Sequence, residues 1–326
     1  MERESRTVWC GILSGLGLLV VAGCEAPPSN GATESSVAGS GIQAVTLIEP
    51  TREMLANEYV PTPGGQRVHR SCVIEVESGG KAKQGRPCAY KPYQEKSVRS
   101  ATAASAAGTP DPTISWAWYA NSSKATPASP GWYDGFYATW TVPSNPAHND
   151  GQTLFYFPGL QNNTGSRTTI IQPVLEYYGG SWSIASWWGP DTEGNYQQST
   201  PLSVSPGDLI WGNAYGSDCT SAGVCDWWIS TSNMSTGYGS SLTVNTGFTY
   251  DWAAPWVEEV YGITRCSDFP ANSPVPASSA LFVGPNNVYD DSGSWGSSTY
   301  SSSSPNCSPR VSISGTTTTI SQTTTP

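Results

Sequence analysis

Only two histidines, His69 and His148, occur in the 326 residues, and that scarcity removes most common routes to hydrolysis. There is no His-Glu-x-x-His zinc site and no histidine cluster to replace it. A Ser-His-Asp triad would have to use His148. That residue sits in Pro146-Ala-His-Asn-Asp-Gly151, which reads as a solvated turn, and no Gly-x-Ser-x-Gly elbow accompanies it. Glycine-rich phosphate loops are missing, and no Cys-x-x-Cys pair suggests a metal, so no metal or cofactor is expected. What remains is carboxylate and amide chemistry among tryptophans and tyrosines. Two reaction types run on that inventory. Paired carboxylates can flank a glycosidic bond. Alternatively, a glutamate and a glutamine can share a water that attacks a peptide carbonyl.

The elements that must position such groups are strands. Thirteen of the 14 tryptophans lie beyond residue 113, in short aromatic and β-branched runs broken by Gly, Pro, Asn and Ser. Examples are Gly135-Phe-Tyr-Ala-Thr-Trp-Thr-Val142, Thr168-Thr-Ile-Ile-Gln-Pro-Val-Leu-Glu-Tyr-Tyr178 and Trp182-Ser-Ile-Ala-Ser-Trp-Trp188. Many short strands with turn signals between them predict an all-β domain over 113–311: an antiparallel two-sheet β-sandwich or jelly roll, concanavalin A-like, preceded by a small N-terminal segment. On a strand, Gln172 and Glu176 are an even number apart and share a face. Trp256 and Glu258 share one face, Val257 and Glu259 the other. Pro173 cannot donate to a ladder and suggests an edge or bulge.

Ahead of the domain the chain reads as an export address. Arg3 and Arg6 precede an apolar run, Gly11 to Gly23, that is too short to span a bilayer. It ends in Val21-Ala-Gly-Cys24, which resembles the lipobox of bacterial lipoproteins. The expectation is a signal peptide over 1–23, lipidation of Cys24, a flexible tether over 24–45 and a lipid anchor on the cell envelope as the only membrane contact. Six further cysteines fit disulfides in an exported chain, most simply Cys72–Cys88, Cys219–Cys225 and Cys266–Cys307. Residues 46–112 form a basic, prosegment-like region and linker, in which Leu47 to Tyr59 could be a short helix. Between Arg67 and Arg99 lie eight basic residues, while 113–326 holds four basic against 14 acidic residues. The acidic excess serves solubility, or lets the basic segment dock on the domain. It argues against nucleic acid as a partner. The Thr- and Ser-rich tail, 312–326, is expected to be disordered.

The order of motifs from 113 to 284 resembles the glutamic endopeptidases, or eqolisins. The matching stretches are Trp140-Thr-Val-Pro143, Phe157-Pro-Gly-Leu160, Ile170-Ile-Gln-Pro-Val-Leu-Glu176, Trp187-Trp-Gly-Pro-Asp191, Ser203-Val-Ser-Pro-Gly-Asp-Leu-Ile210 and Ala254-Pro-Trp-Val-Glu-Glu259. The resemblance implies an endopeptidase with Gln172 and Glu259 as the catalytic pair. Trp187, Trp188, Trp256 and Glu176 would hold a polypeptide substrate. It also implies a basic propeptide, here Arg67–Arg99, covering the acidic cleft until the 100–112 linker is cut. Pro173-Val174 replaces the family's usual Thr-Gly, Pro255 replaces an acidic or polar residue, and Ser186 stands where another acid is common. A related group, the neprosins, uses two glutamates on a similar fold, which would give Glu176 a larger part. The expected protein is a monomer. The alternatives are a carbohydrate-binding jelly roll whose Trp and Tyr side chains stack on sugars, and a structural surface protein.

Overall fold

Side-chain alternation sets the layers. Along Leu209–Ser217, Ile210, Gly212, Ala214 and Gly216 are buried while Leu209, Trp211 and Tyr215 are exposed. That is the period of two of a half-covered strand. Thr153–Gln161 and Ile170–Tyr178 behave differently, because they are buried on both faces along most of their length. A second layer must therefore cover the outside of their sheet.

The computed structural model describes residues 46–93, 114–123, 132–162, 168–271, 275–284, 288–289, 296–298, 307–308 and 310–324. The expected signal peptide, Cys24, the 24–45 tether and the 100–112 linker lie outside the described residues. Within 47–59 the helix is a short one, α1 (Arg52–Asn57), capped by Thr51 Oγ1, which accepts from Met54 N at 3.2 Å. Four short strands follow: β1 (Tyr59–Thr62), β2 (Gln66–His69), β3 (Val73–Val76) and β4 (Gly80–Lys81). The domain then supplies β5 (Ile114–Ser123), β6 (Tyr133–Thr141), β7 (Thr153–Gln161), β8 (Ile170–Tyr178), β9 (Ser181–Gly189), β10 (Tyr196–Ser199), β11 (Leu202–Val204) and β12 (Leu209–Ser217). It continues with β13 (Val224–Asn233), β14 (Tyr238–Thr249), β15 (Trp252–Tyr261), β16 (Val275–Val283), β17 (Val288–Tyr289), β18 (Gly296–Ser298), β19 (Arg310–Ser314) and β20 (Thr317–Ser321).

These strands form two sheets of a β-sandwich. The first runs β18-β5-β15-β7-β8-β9-β10-β3, with β11 also on β9. The second runs β19-β20-β16-β6-β12-β13-β14-β4, with β17 on β16. Neighbours within the domain are antiparallel, whereas β3 joins β10 and β4 joins β14 in parallel. The N-terminal segment thus completes one edge of each sheet. Val76 is buried in the core, and Cys72–Cys88 ties the segment to itself. The Cys219–Cys225 and Cys266–Cys307 bonds also form.

The space between the sheets is filled by rings. Trp140, Tyr156, Tyr177, Trp182 and Trp256 cluster there, with Trp140 and Trp256 centroids 5.1 Å apart. Each such ring removes about 150–250 Å² from water, an upper bound of about 4–6 kcal/mol apiece at about 25 cal/mol/Å². Pro173 corrects the expectation of an edge. It lies in β8, between β7 and β9, and points across the sandwich at Gly212. A Cβ on Gly212 would stand 2.6 Å from Trp140 Cη2 and 2.7 Å from Pro173 Cγ, so only glycine fits.

The tail expected to be disordered is instead the β19–β20 hairpin. It extends the second sheet through β16, and Ile320 is fully buried. Serines alternate with Val311 and Ile313 in β19, and the consecutive threonines of β20 are β-branched, so the compositional signal for disorder was also a strand pattern. The domain therefore runs past 311, to at least 324.

Candidate active site

The outer face of the first sheet carries the candidate residues. On β8, Ile170, Gln172, Val174 and Glu176 point outward, while Ile171, Leu175 and Tyr177 join the inter-sheet core. On β15 the alternation sends Val257, Glu259 and Tyr261 outward, and Trp256, Glu258 and Val260 inward. Phe155 and Phe157 of β7 and Ala185 and Trp187 of β9 complete an apolar floor on the outer side. Register places Glu176 across from Phe155, and Phe155 across from Glu259. Gln172 pairs with Trp187.

The β1–β2 hairpin lies on this floor and is the covering layer. Its Val68 packs in the same cluster. Its three-residue tip, Pro63-Gly64-Gly65, meets both candidate groups. The Gln172 amide Nε2 donates to the Pro63 carbonyl oxygen at 2.7 Å. The N–H of Gly64 donates to Glu259 Oε2 at 2.8 Å, and the N–H of Gly65 to Glu259 Oε1 at 2.8 Å. Pro63 C=O and Gly64 N–H belong to one peptide group. The two hydrogen bonds and standard peptide bond lengths therefore place Gln172 Nε2 and Glu259 Oε2 within about 8 Å of each other. Gly64 (φ +118°) and Gly65 (φ +88°) are in the left-handed half of backbone space. That conformation turns successive N–H groups onto one carboxylate, an anion-binding nest.

Further contacts hold the hairpin. The Tyr261 hydroxyl bonds Glu259 Oε1, and it lies 2.9 Å from the Thr62 carbonyl oxygen and 3.3 Å from that of Gln66. The Tyr196 hydroxyl donates to Gln66 Oε1 at 3.2 Å. The Arg67 guanidinium sits 5.6 Å over the Tyr261 ring. Behind the hairpin, Arg67 and Tyr93 exchange backbone hydrogen bonds, and the His69 ring stacks on Tyr90 at 3.6 Å. The covering element is thus the β1–β2 hairpin, most of which precedes the basic stretch Arg67–Arg99 expected in that place, and it meets the candidate groups through the backbone of a Pro-Gly-Gly turn.

Burial shapes the electrostatics. It pushes the Glu259 carboxyl up to about 7, against the opposing pull of Tyr261, Gly64 and Gly65. Glu258, sealed between the sheets, is pushed by burial to about 8. Its Oε1 accepts from the Tyr156 hydroxyl at 2.6 Å and from Gln322 Nε2 at 3.1 Å. Glu176 is half-buried, and desolvation raises its carboxyl to about 7. Among the described residues no group partners Gln172 Oε1, a buried acceptor.

Two expected cleft residues are elsewhere. Trp256 packs between the sheets against Trp140 and Tyr156 because it shares the inward face with Glu258. Trp188 also faces inward, with Tyr250 and Trp227. Only Trp187 is on the outer floor. Ser186 is inward too, donating to the Ser240 carbonyl at 2.9 Å, so an acid there would be buried in the sandwich. Two participants were missed in the sequence. The Pro63-Gly-Gly65 turn has a clear turn signature. Tyr261 follows Glu259 by two residues, and the strand period alone puts both on one face.

No protein-family model matches the sequence, and no curated protein does. Among solved structures, scytalido-glutamic peptidase with a transition state analog inhibitor is similar at 16% identity over 64% of this chain and 100% of that one, with a TM-score of 0.47. SCP-B, a member of the eqolisin family solved with the tripeptide Ala-Ile-His, gives 16% identity, 64% and 100% coverage and a TM-score of 0.45. Aspergilloglutamic peptidase from Aspergillus niger gives 13% identity, 52% and 98% coverage and a TM-score of 0.32. At these values the likeness decides nothing about the site, whose chemistry rests on its own residues.

Proposed function

We propose that the chain is an exported, lipid-anchored endopeptidase in which Glu259 and Gln172 hydrolyse a peptide bond through a shared water, kept latent by its β1–β2 hairpin. One observation carries this reading: a single peptide group is held between the two side chains, its carbonyl by Gln172 and its N–H by Glu259. A substrate peptide held the same way has its carbonyl polarised by the Gln172 amide. The free Gln172 Oε1 and the Glu259 carboxylate can then hold a water. Glu259 takes a proton from that water as oxygen attacks the carbonyl carbon. The Gln172 N–H steadies the oxyanion. Glu259 then delivers the proton to the leaving nitrogen, which lies where Gly64 N lies now. Val68 and the apolar floor around Trp187 mark where neighbouring substrate side chains would bind.

An acid working range is supported by the fold. Glu176 and Glu258 are pushed upward by burial, so their protonated forms favour the folded chain. The test is digestion of a denatured protein in acid, with pepstatin present. Gln172→Ala should lose about 10²–10³ in turnover, and Glu259→Gln nearly all of it. Parent-like rates in both folded variants would end the assignment.

The non-catalytic alternative rests on a different face. Tyr137, Trp211, Tyr215 and Trp228 are all at least 38% exposed on the outside of the second sheet, with Tyr215 and Trp228 directly paired. Retention on an insoluble polysaccharide, with no peptidase activity in the parent, would establish that reading.

A further inference from the structure

Tyr261 carries more of this site than its place behind Glu259 suggests. Its ring is buried and set edge-on against Phe155, with centroids 6.0 Å apart and planes at 85°. Its hydroxyl meets three acceptors at once: Glu259 Oε1, the Thr62 carbonyl and the Gln66 carbonyl. A hydroxyl has one hydrogen to give and lone pairs to receive. While Glu259 is ionised, the charge-assisted bond to the carboxylate takes that hydrogen. Once Glu259 is protonated, its own O–H donates to the phenol oxygen. The phenol hydrogen is then released to a backbone carbonyl. The nearer one, at 2.9 Å, belongs to Thr62, the residue just before the peptide group that Gln172 holds.

We propose that Tyr261 is a third catalytic residue, holding Glu259 ready as a base and then passing its hydrogen bond to the substrate backbone as the water is deprotonated. This rests on the reading of Glu259 and Gln172 as a peptidase pair. The step balances. Water oxygen bonds to the carbonyl carbon, a water proton moves to Glu259, and the C–N bond breaks as that proton passes to nitrogen. The phenol keeps its proton throughout and changes only its acceptor. Substrate is therefore gripped more tightly when the tetrahedral intermediate forms than before, which is where added binding raises kcat.

The other charged or titratable side chains described around the hydroxyl are Arg67 above its ring, Tyr196 across the hairpin and Glu176 beyond Phe155. Tyr261→Phe leaves all three in place and keeps the ring on Phe155.

The experiment is kcat and KM of the full chain against pH, for parent and Tyr261→Phe, with Gln172→Ala and Glu259→Gln alongside. Tyr261→Phe should lower kcat by about 10- to 100-fold, less than the roughly 10²–10³ of a lost oxyanion donor because the phenol acts through Glu259 and a neighbouring carbonyl. It should also move the acid limb of kcat upward by about one pH unit, because the Glu259 carboxylate loses a donor. Tyr261→3-fluorotyrosine, a stronger donor of the same shape, should move that limb downward. If Tyr261 only anchors the hairpin, the outcome differs. The hairpin competes with substrate, so Tyr261→Phe would lower the apparent KM and leave kcat and its limb unchanged, which overturns the proposal. An unmoved limb in the fluorinated chain overturns it as well. Activity surviving in Gln172→Ala and Glu259→Gln is a separate result, and it removes the underlying peptidase reading.

Discussion

A methyl group on Gly64 and another on Gly65 should unlatch the site. Their φ values of +118° and +88° are ones that L side chains rarely adopt. Space at Gly64 is adequate: a Cβ there meets Ile170 Cγ2 at an ordinary 3.5 Å. The cost is therefore backbone strain, about 1–3 kcal/mol per residue. It falls on the closed state, because a released hairpin can relax. If the tip shifts to relieve the strain, the two N–H bonds to Glu259 weaken, and each bond to a charged group is worth about 1.5–3 kcal/mol. Taking about 3 kcal/mol for Gly64→Ala/Gly65→Ala, the closing equilibrium drops by about 10²-fold. A tethered competitor multiplies the apparent KM by its closing constant, so KM should fall by up to that factor while kcat holds. The assay is hydrolysis of a fluorogenic peptide by the intact chain, with thermal melting to confirm the fold. Gly237→Ala is the matched control, since Gly237 has φ +78° in the β13–β14 turn and nothing near its missing Cβ. A folded double variant with parental KM would refute the latch, as would an equal fall in KM for Gly237→Ala.

Stability should rise on acidification. Glu258 is pushed to about 8 in the folded chain and returns to an ordinary carboxylate value when unfolded, so its contribution is complete below about pH 4.3 and is lost as pH rises through about 8. The loss is on the order of 4–5 kcal/mol, and Glu258→Gln should flatten the melting temperature across that window. Glu259 has the same sign for folding as a whole, since burial raises its carboxyl to about 7 against the pull of Tyr261 and of the hairpin's Gly64 and Gly65 N–H groups. Activity of the uncut chain should fall below parallel measurements on chain cut behind the hairpin. Gly212→Ala should cost about 1–3 kcal/mol in denaturant unfolding, since the methyl meets Trp140 and Pro173 in a filled core. Ile320→Ala should cost about 2–5 kcal/mol if the tail is part of the second sheet, and nothing if it is not.

The period of two was the most informative signal in the sequence. It gave the strands, the pairing of Gln172 with Glu176 on one face, and the separation of Glu258 from Glu259. Applied consistently it also excludes Trp256 and Trp188 from the cleft, because both share the parity of inward residues on their strands. The motif likeness had placed them there on residue type alone. The hairpin tip was harder to see. Its contacts with Glu259 and Gln172 span more than a hundred residues and use backbone N–H and C=O, which carry no residue-type signature. Cys72-Val-Ile-Glu-Val76 alternates like a strand in the sequence and is β3, but its parallel place on a sheet edge, and β4 altogether, were obscure for a similar reason. Parallel addition to an existing sheet edge asks little of a strand beyond a free backbone and one apolar side chain, here Val76.

The two adjacent glutamates of β15 separate structural from chemical roles within a single strand. Both are fully buried and both are raised by desolvation, so burial alone cannot identify a site. Glu258 is enclosed by permanent parts of the sandwich, Tyr156 and Gln322, on a face that no substrate reaches. Glu259 is enclosed by the tip of a two-stranded hairpin that, among the described residues, pairs with no strand of either sheet. Removing residues 59–69 would leave Glu258 as buried as before, and would open Glu259, Gln172 and Tyr261 together. A carboxyl, an amide and a phenol that become accessible in one event, on a floor of Phe155, Phe157 and Trp187, are the arrangement that a core pair would not require and a peptide-cleaving groove would.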